Sequence, residues 1–280
     1  MITPILEGDA WHADVDRARN ERDHFHLWWL GQSGFLLQWQ GRHVLLDPYL
    51  SDSLTQKYAA TDKPHVRMTR RVTDPNRLDF IDVVTSSHNH TDHLDAATLL
   101  PLMRASPDAK LVIPEANRSF VADRLKIDAR IPVGLDDGQS VSVAGFEFTG
   151  IASAHEKLDR DARGRCQYLG YVIGFEGGRV YHSGDTVRYD GLAERLRPYQ
   201  IDVAILPING ADPRRRVAGN LNGREAATLG HAMGARVVIP CHFDMFEFNT
   251  ASPELFVETA KALGQPVRVL RGGERFTGQP

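Results

Sequence analysis

The run His88-Asn89-His90-Thr91-Asp92-His93 packs four metal-ligating side chains into six residues, directly after the apolar stretch Phe80-Ile81-Asp82-Val83-Val84. A strand that ends in such a run delivers its ligands to a sheet edge. Imidazole and carboxylate without thiolate suit Zn, Mn or Fe, and a site short of protein ligands keeps a position for water, which becomes a nucleophile near neutral pH. One turn cannot aim four donors at a single point, so other strand ends must contribute. Three do so by sequence: His155 closes the strand-like stretch from Phe146, Asp185 follows Arg179 to Gly184, and His242 follows Val237 to Cys241. A histidine-rich surface loop accounts for a lone His-x-His, but not for three further donors each placed where an apolar strand meets a loop.

The succession of His-x-His-x-Asp-His, a single His, the Asp of Ser183-Gly184-Asp185-Thr186 and a last His after an apolar strand resembles the metallo-β-lactamase superfamily, from about Leu27 to His242. Within it, Trp29-Leu30-Gly31-Gln32-Ser33-Gly34-Phe35 and Leu46-Asp47-Pro48-Tyr49-Leu50-Ser51-Asp52-Ser53 resemble the L-ascorbate-6-phosphate lactonase branch. Similar openings occur in the N-acyl-phosphatidylethanolamine phospholipase D group. The resemblance implies an α/β fold, a four-layer αββα sandwich. It also implies one metal set of His88, His90 and His155, a second of Asp92, His93 and His242, and Asp185 as the bridge between them.

The cofactor so implied is one or two divalent transition metal ions, Zn or Mn. The implied reaction is attack by metal-held water on the carbonyl carbon of a sugar-acid lactone, phosphorylated in this branch, with Asp92 and Asp185 as the catalytic carboxylates. The same groups suit a phosphodiesterase, either phospholipase D-like or acting on cyclic nucleotides. A redox member of the fold would use iron and carry a flavin-binding partner domain, for which the chain has little spare length. A non-enzymatic member would be expected to have lost ligands, and none is missing here.

With 280 residues and 42% hydrophobic content, the chain is expected to form one domain over residues 1–280. A net charge of −3 argues against a nucleic-acid partner and leaves a small-molecule substrate. No apolar run reaches the length of a membrane span, and the N-terminus lacks the basic start and apolar core of a signal peptide, so a cytoplasmic protein is expected. A homo-oligomer is compatible with the composition. Cys166 and Cys241 form no disulfide framework, and Cys241 should pack inward if its neighbour His242 faces a metal.

The period of apolar residues predicts strands over 26–30, 34–39 and 43–46, and helices over 94–103, 115–125, 191–197, 222–233 and 253–263. Asp47 ends a strand, where it either fixes the tautomer of a metal-bound histidine or opens a turn before Pro48. Asp95 is expected to cap the helix that follows it. Arg214, Arg215 and Arg216 lie in a loop after the strand Val203 to Leu206, where planar guanidinium donors match phosphate oxygens; the alternative is a solvated turn. Lys57, Tyr58, His65 and Arg67 fall in an insertion-like loop that forms either a lid or a mobile surface.

Overall fold

The computed structural model describes residues 1–279. One sheet has seven strands in the order β13 (Arg275–Gly278), β1 (Phe25–Gly31), β2 (Gly34–Trp39), β3 (Arg42–Leu46), β4 (Val83–Thr85), β5 (Lys110–Pro114) and β6 (Val133–Leu135). The other has six, in the order β12 (Val237–Cys241), β11 (Val203–Pro207), β10 (Gly178–His182), β9 (Leu169–Phe175), β8 (Phe146–Ala152) and β7 (Ser140–Val143). Each sheet is antiparallel over its hairpin-linked strands and parallel where a crossover returns the chain, at β3 to β6 and at β10 to β12.

Every residue of β1 and β2 is buried, which explains why their sequences lack polar alternation. Successive side chains instead serve two different cores. Leu27, Trp29, Phe35, Leu37, Val44 and Leu46 face the second sheet and meet Phe148, Tyr171, Val180 and Ile205. Trp28, Leu30, Leu36, Leu45 and Val84 face outward, onto helices α1 (Gly8–Ala18), α3 (Ala96–Ala105) and α4 (Arg118–Leu125). A short helix α2 (Ser53–Tyr58) follows β3, and α5 (Leu192–Leu196), α6 (Gly223–Met233) and α7 (Glu254–Leu263) belong to the second half of the chain. Helices outside two facing sheets give the four-layer αββα sandwich expected from the sequence.

The five expected helices form, within a few residues at each end. Asp95 caps α3 by accepting from the Ala97 amide, as its position suggested. Asn222 and Glu225 form a reciprocal capping box at the start of α6. The sequence reading left out α1 and α2. Helix α1 has no capping side chain and buries only Trp11, Asp14, Val15 and Ala18. It is held by tertiary contacts, among them the Trp28 indole N–H donating to Asp14 Oδ2 at 2.9 Å.

His43 on β3 is buried, and neither of its ring nitrogens has a hydrogen-bond partner. Its ring meets Phe80 edge-on at 4.8 Å. Burial, reinforced by the nearby Arg19 guanidinium and only partly opposed by Asp82, lowers its pKa to about 4. The unfolded chain therefore binds a proton that the fold refuses. The contribution is fully present above pH 6.5 and is lost as pH falls toward 4, amounting to about 3 kcal/mol. Replacing His43→Phe should flatten this part of the acid profile, seen as a smaller difference in urea midpoint between pH 7 and pH 4.5 than in the wild type. An unchanged difference would show that other groups set the acid sensitivity.

Candidate metal centre

Strands β1, β3 and β4 run the same way in the first sheet, and β8, β10, β11 and β12 in the second. Their carboxyl ends gather at one edge, where open α/β sheets place their ligands. Gln32 follows β1, Asp47 follows β3, the run His88 to His93 follows β4, His155 follows β8, Asp185 follows β10, and His242 follows β12. Three of these residues, Gln32, Asp47 and His242, have φ of 51°, 37° and 62°, in the left-handed region that costs a side-chain-bearing residue free energy. Each lies at a strand end, where this backbone conformation turns the chain sharply. Gly184 has φ 59°, and a Cβ there would lie 2.6 Å from Ser87 Cβ, so the Ser-Gly-Asp-Thr turn packs directly on the histidine run.

Donor atoms converge in three overlapping groups, His88/His90/His155, His88/His93/Asp185 and Asp92/His93/His242, each within 4.8 Å internally. Asp185 connects them. Its carboxylate lies 3.7 Å from His155 Nε2, 3.3 Å from His93 Nε2 and 3.3 Å from His242 Nε2. Asp92 Oδ2 lies 3.5 Å from His242 Nε2 and 3.7 Å from His93 Nε2. The structure thus brings together all seven ligands anticipated from the sequence.

Several of these nitrogens are held from behind. His93 Nδ1 lies 2.7 Å from Asp47 Oδ2, His155 Nδ1 lies 2.9 Å from the Gly219 carbonyl, and His88 Nδ1 meets Ser87 Oγ at 3.0 Å. With Nδ1–H donating outward to Asp47 and Gly219, the Nε2 lone pairs of His93 and His155 face inward, as metal ligands require. Asp47 is itself fixed by Thr85 Oγ1 and the Ser87 amide. Of the two readings of this residue, it is the histidine-orienting one that these contacts match.

The donor chemistry fits a cation. His88 Nε2, His93 Nε2 and Asp185 Oδ1 are buried with no hydrogen-bond partner. Burial disfavours ionised Asp92 and Asp185, but the adjacent imidazoles of His93 and His242 outweigh it and keep both well below the usual carboxylate range. Burial, with His93 and His90 alongside, holds His88 well below its ordinary value and so leaves it neutral. At His242, burial is overcome by Asp185 and Asp92, which raise its pKa to about 9, whereas the Gln32 amide nitrogen 3.0 Å from Nε2 disfavours a proton there. A divalent cation resolves this conflict, because it takes the lone pair and balances the carboxylates together.

Residues 42–243 match the beta-lactamase superfamily domain. The chain belongs to the metallo-β-lactamase superfamily. It is 26% identical to a probable L-ascorbate-6-phosphate lactonase of Escherichia coli O127:H6, over 91% of this chain and 79% of that protein. It is 27% identical to a metal-dependent hydrolase of Rubrobacter xylanophilus, over 89% and 94% of the two chains. Solved structures of the same fold include Igni18, a metallo hydrolase of Ignicoccus hospitalis, with TM-score 0.68 and 24% identity over 92% of this chain and 99% of that one. Another is an isothiocyanate hydrolase from Delia radicum gut bacteria, with TM-score 0.72 and 17% identity over 91% and 99%. The protein is a metal-dependent hydrolase of this superfamily, and no helix among the described residues is long and apolar enough to cross a membrane.

The donor residues open onto a cavity of about 510 Å³. Its lining combines His90, Asp92, His155, Asp185 and His242 with apolar side chains, among them Leu54, Tyr58, Phe246 and Phe248. The insertion-like loop contributes to this lining through Tyr58 and His65. Tyr58 stacks on His65 at 4.2 Å, His65 lies 4.3 Å from Phe248, and Arg67 is anchored by Asp52 at 2.7 Å beneath Tyr49. Lys57 borders the cavity with its ammonium 5.0 Å from the Tyr58 ring, and it has no ion pair or hydrogen bond among the described residues.

Arg214, Arg215 and Arg216 line an adjoining cavity and not this one. Arg214 pairs with Asp212 at 2.8 Å, Arg215 donates to the Asn209 and Thr250 carbonyls, and Arg216 pairs with Asp62. Sequence reasoning also passed over Arg124, which donates to the carbonyls of Asn89 and Leu94 and so pins both ends of the histidine run. It likewise missed Tyr168, whose ring lies 5.0 Å from His88 and 5.6 Å from His155. Cys241, adjacent to His242, is buried as expected.

The Asp47 contact carries its own test. Asp47→Ala removes the acceptor that orients His93, so affinity for Zn or Mn should fall by about 10- to 100-fold in a chelator competition titration while the far-UV circular dichroism is kept. Undiminished affinity would make Asp47 a turn residue alone.

Proposed function

We propose that this protein opens a small lactone of the sugar-acid type carrying an anionic group such as phosphate, by metal-dependent hydrolysis. The observation that carries the reading is the double donor set joined by Asp185 at the floor of a cavity of small-molecule size. The extended similarity to a probable L-ascorbate-6-phosphate lactonase supports the choice of a lactone. We assign His88, His90 and His155 to one metal position, Asp92, His93 and His242 to the other, and Asp185 to both, for one or two divalent ions, Zn or Mn. Such an ion would supply Lewis-acid polarisation of the carbonyl and a nucleophile at neutral pH.

The chain's own residues do the rest. Asp92 is the more exposed of the two catalytic carboxylates and borders the cavity, whereas Asp185 is almost fully enclosed. Both stay ionised next to His93 and His242. As the water oxygen bonds to the carbonyl carbon and the ring C–O bond breaks, Asp92 or Asp185 takes the proton lost by water and returns it to the departing ring oxygen. No serine or cysteine nucleophile is needed. Lys57, as the unpaired cation at the cavity, is the first candidate to hold the substrate's anion. Arg214, Arg215 and Arg216 come within the proposal for a substrate that reaches the adjoining cavity and displaces their present partners.

The deciding experiment is elemental analysis of protein purified without added metal, followed by assays on a phosphorylated sugar lactone and on a generic phosphodiester after Zn or Mn reconstitution. Bound metal with lactone turnover is the expected result. Diester turnover alone would replace the lactonase reading with a phosphodiesterase.

His90→Ala and His155→Ala should each lower kcat/KM by at least about a hundredfold while the chain still folds, because each removes a metal ligand outright. Full turnover in either would overturn the metal assignment. Lys57→Met should raise KM for the phosphorylated lactone by about five- to tenfold and leave that for its dephospho form unchanged, the loss of one solvated charge contact. An equal change for both substrates would remove Lys57 from anion recognition.

A further inference from the structure

The second donor set contains a group that no metal assignment uses. Gln32 follows β1, is fully buried, and turns its amide into the set. Gln32 Nε2 lies 2.7 Å from Asp92 Oδ2 and 3.0 Å from His242 Nε2. A carboxylate oxygen only accepts, so the atom facing Asp92 is the NH2 and not the carbonyl. That nitrogen has no lone pair to offer, and its contact with His242 is a hydrogen bond only through the same lone pair a cation needs. One NH2 group therefore occupies two of the three donors in the second set. The first set, His88, His90 and His155, has no such occupant.

The residue is also built in place. The Gln32 carbonyl accepts from the Trp29 indole N–H at 3.0 Å and from the His242 amide at 3.0 Å, and its φ of 51° is held between these two contacts. The amide oxygen Oε1 is buried with no partner. The carboxamide is thus held through its nitrogen alone, and displacing it breaks no hydrogen bond at its oxygen.

We propose that Gln32 gates the second metal position. Its NH2 stands in for a cation between Asp92 and His242 when the position is empty, and a metal entering there must displace it. The inference rests on reading the two donor sets as metal positions. Its consequence is unequal loading: the His88/His90/His155 set fills first and the Asp92/His93/His242 set more weakly.

Titration of metal-stripped protein with Zn, followed by calorimetry and checked by elemental analysis after gel filtration, tests this without reference to activity. Wild type should bind one ion tightly and a second at least tenfold more weakly. Gln32→Ala removes the competing donor, so the second dissociation constant should fall by about tenfold, the scale of one charge-assisted hydrogen bond, while the first holds steady. Gln32→Glu replaces the donor with a carboxylate of nearly the same shape, and it should tighten the second position further. It also guards against a folding defect caused by truncation.

Two equally tight ions in wild type, or second constants unchanged in both variants, would overturn the gate. A weaker second position in Gln32→Ala would also overturn it and make the amide a ligand. Failure of wild type to bind any ion would instead sink the metal reading itself, and the gate with it.

Discussion

Asp185 sits where two groups of imidazoles meet, and the site is organised around the electrostatic problem this creates. Asp47, Asp92 and Asp185 are drawn together with His88, His93, His155 and His242, most of them removed from water. An ionised carboxylate in such surroundings is costly unless opposite charge or hydrogen bonds balance it. Asp47 is balanced within the protein by Thr85, the Ser87 amide and His93. Asp185 is balanced only by the imidazoles of His93 and His242, and its Oδ1 has no hydrogen-bond partner. A divalent ion supplies what is missing. The arrangement therefore makes chemical sense as a metal centre and poor sense as a structural polar cluster.

The fold meets that demand through strand direction. Nine strands from two sheets end at the same edge, and six of them lead into the site residues, so groups far apart in sequence reach one volume without long loops. Loops would deliver the same side chains with more conformational freedom, and the entropy of fixing them would weigh against the site. Here the strand ends are tied by backbone contacts, such as the His242 amide to the Gln32 carbonyl across the two sheets. The left-handed φ values of Gln32, Asp47 and His242 are the cost of that rigidity. They are tolerated because the packed sheets on either side over-determine the turns.

The convergence of the candidate ligand residues was legible in the sequence because their segments follow strongly apolar strands, and apolar strands announce their ends. The sandwich was legible for a related reason: β1 to β3 read as consecutive apolar runs broken by turn signals, and the outer helices have regular spacing. Gln32 was not legible as a site residue, although its segment was recognised, because an amide carries no distinctive spacing and only the convergence of β1 with β12 brings it to His242. Helix α1 was missed because its fixing contact, Trp28 to Asp14, is tertiary. The arginines of the 214–216 run showed a charge pattern that sequence alone cannot distinguish from an anion site. Their guanidinium partners at Asp212, Asp62 and the carbonyls of Asn209 and Thr250 emerge only in three dimensions.

The lining of the cavity bears on how a charged substrate would be held there. A divalent ion on the donor sets would itself meet charge at the reacting atom, so the other cations of the cavity matter for charge carried elsewhere on a substrate. Arg124 and Lys57 are the cationic side chains bordering this cavity, and Arg124 is spent on the carbonyls of Asn89 and Leu94. Lys57 lines the cavity together with Tyr58, Phe246 and Phe248. Charge carried at a distance from the reacting atom would therefore fall to Lys57, on a lactone or a diester alike.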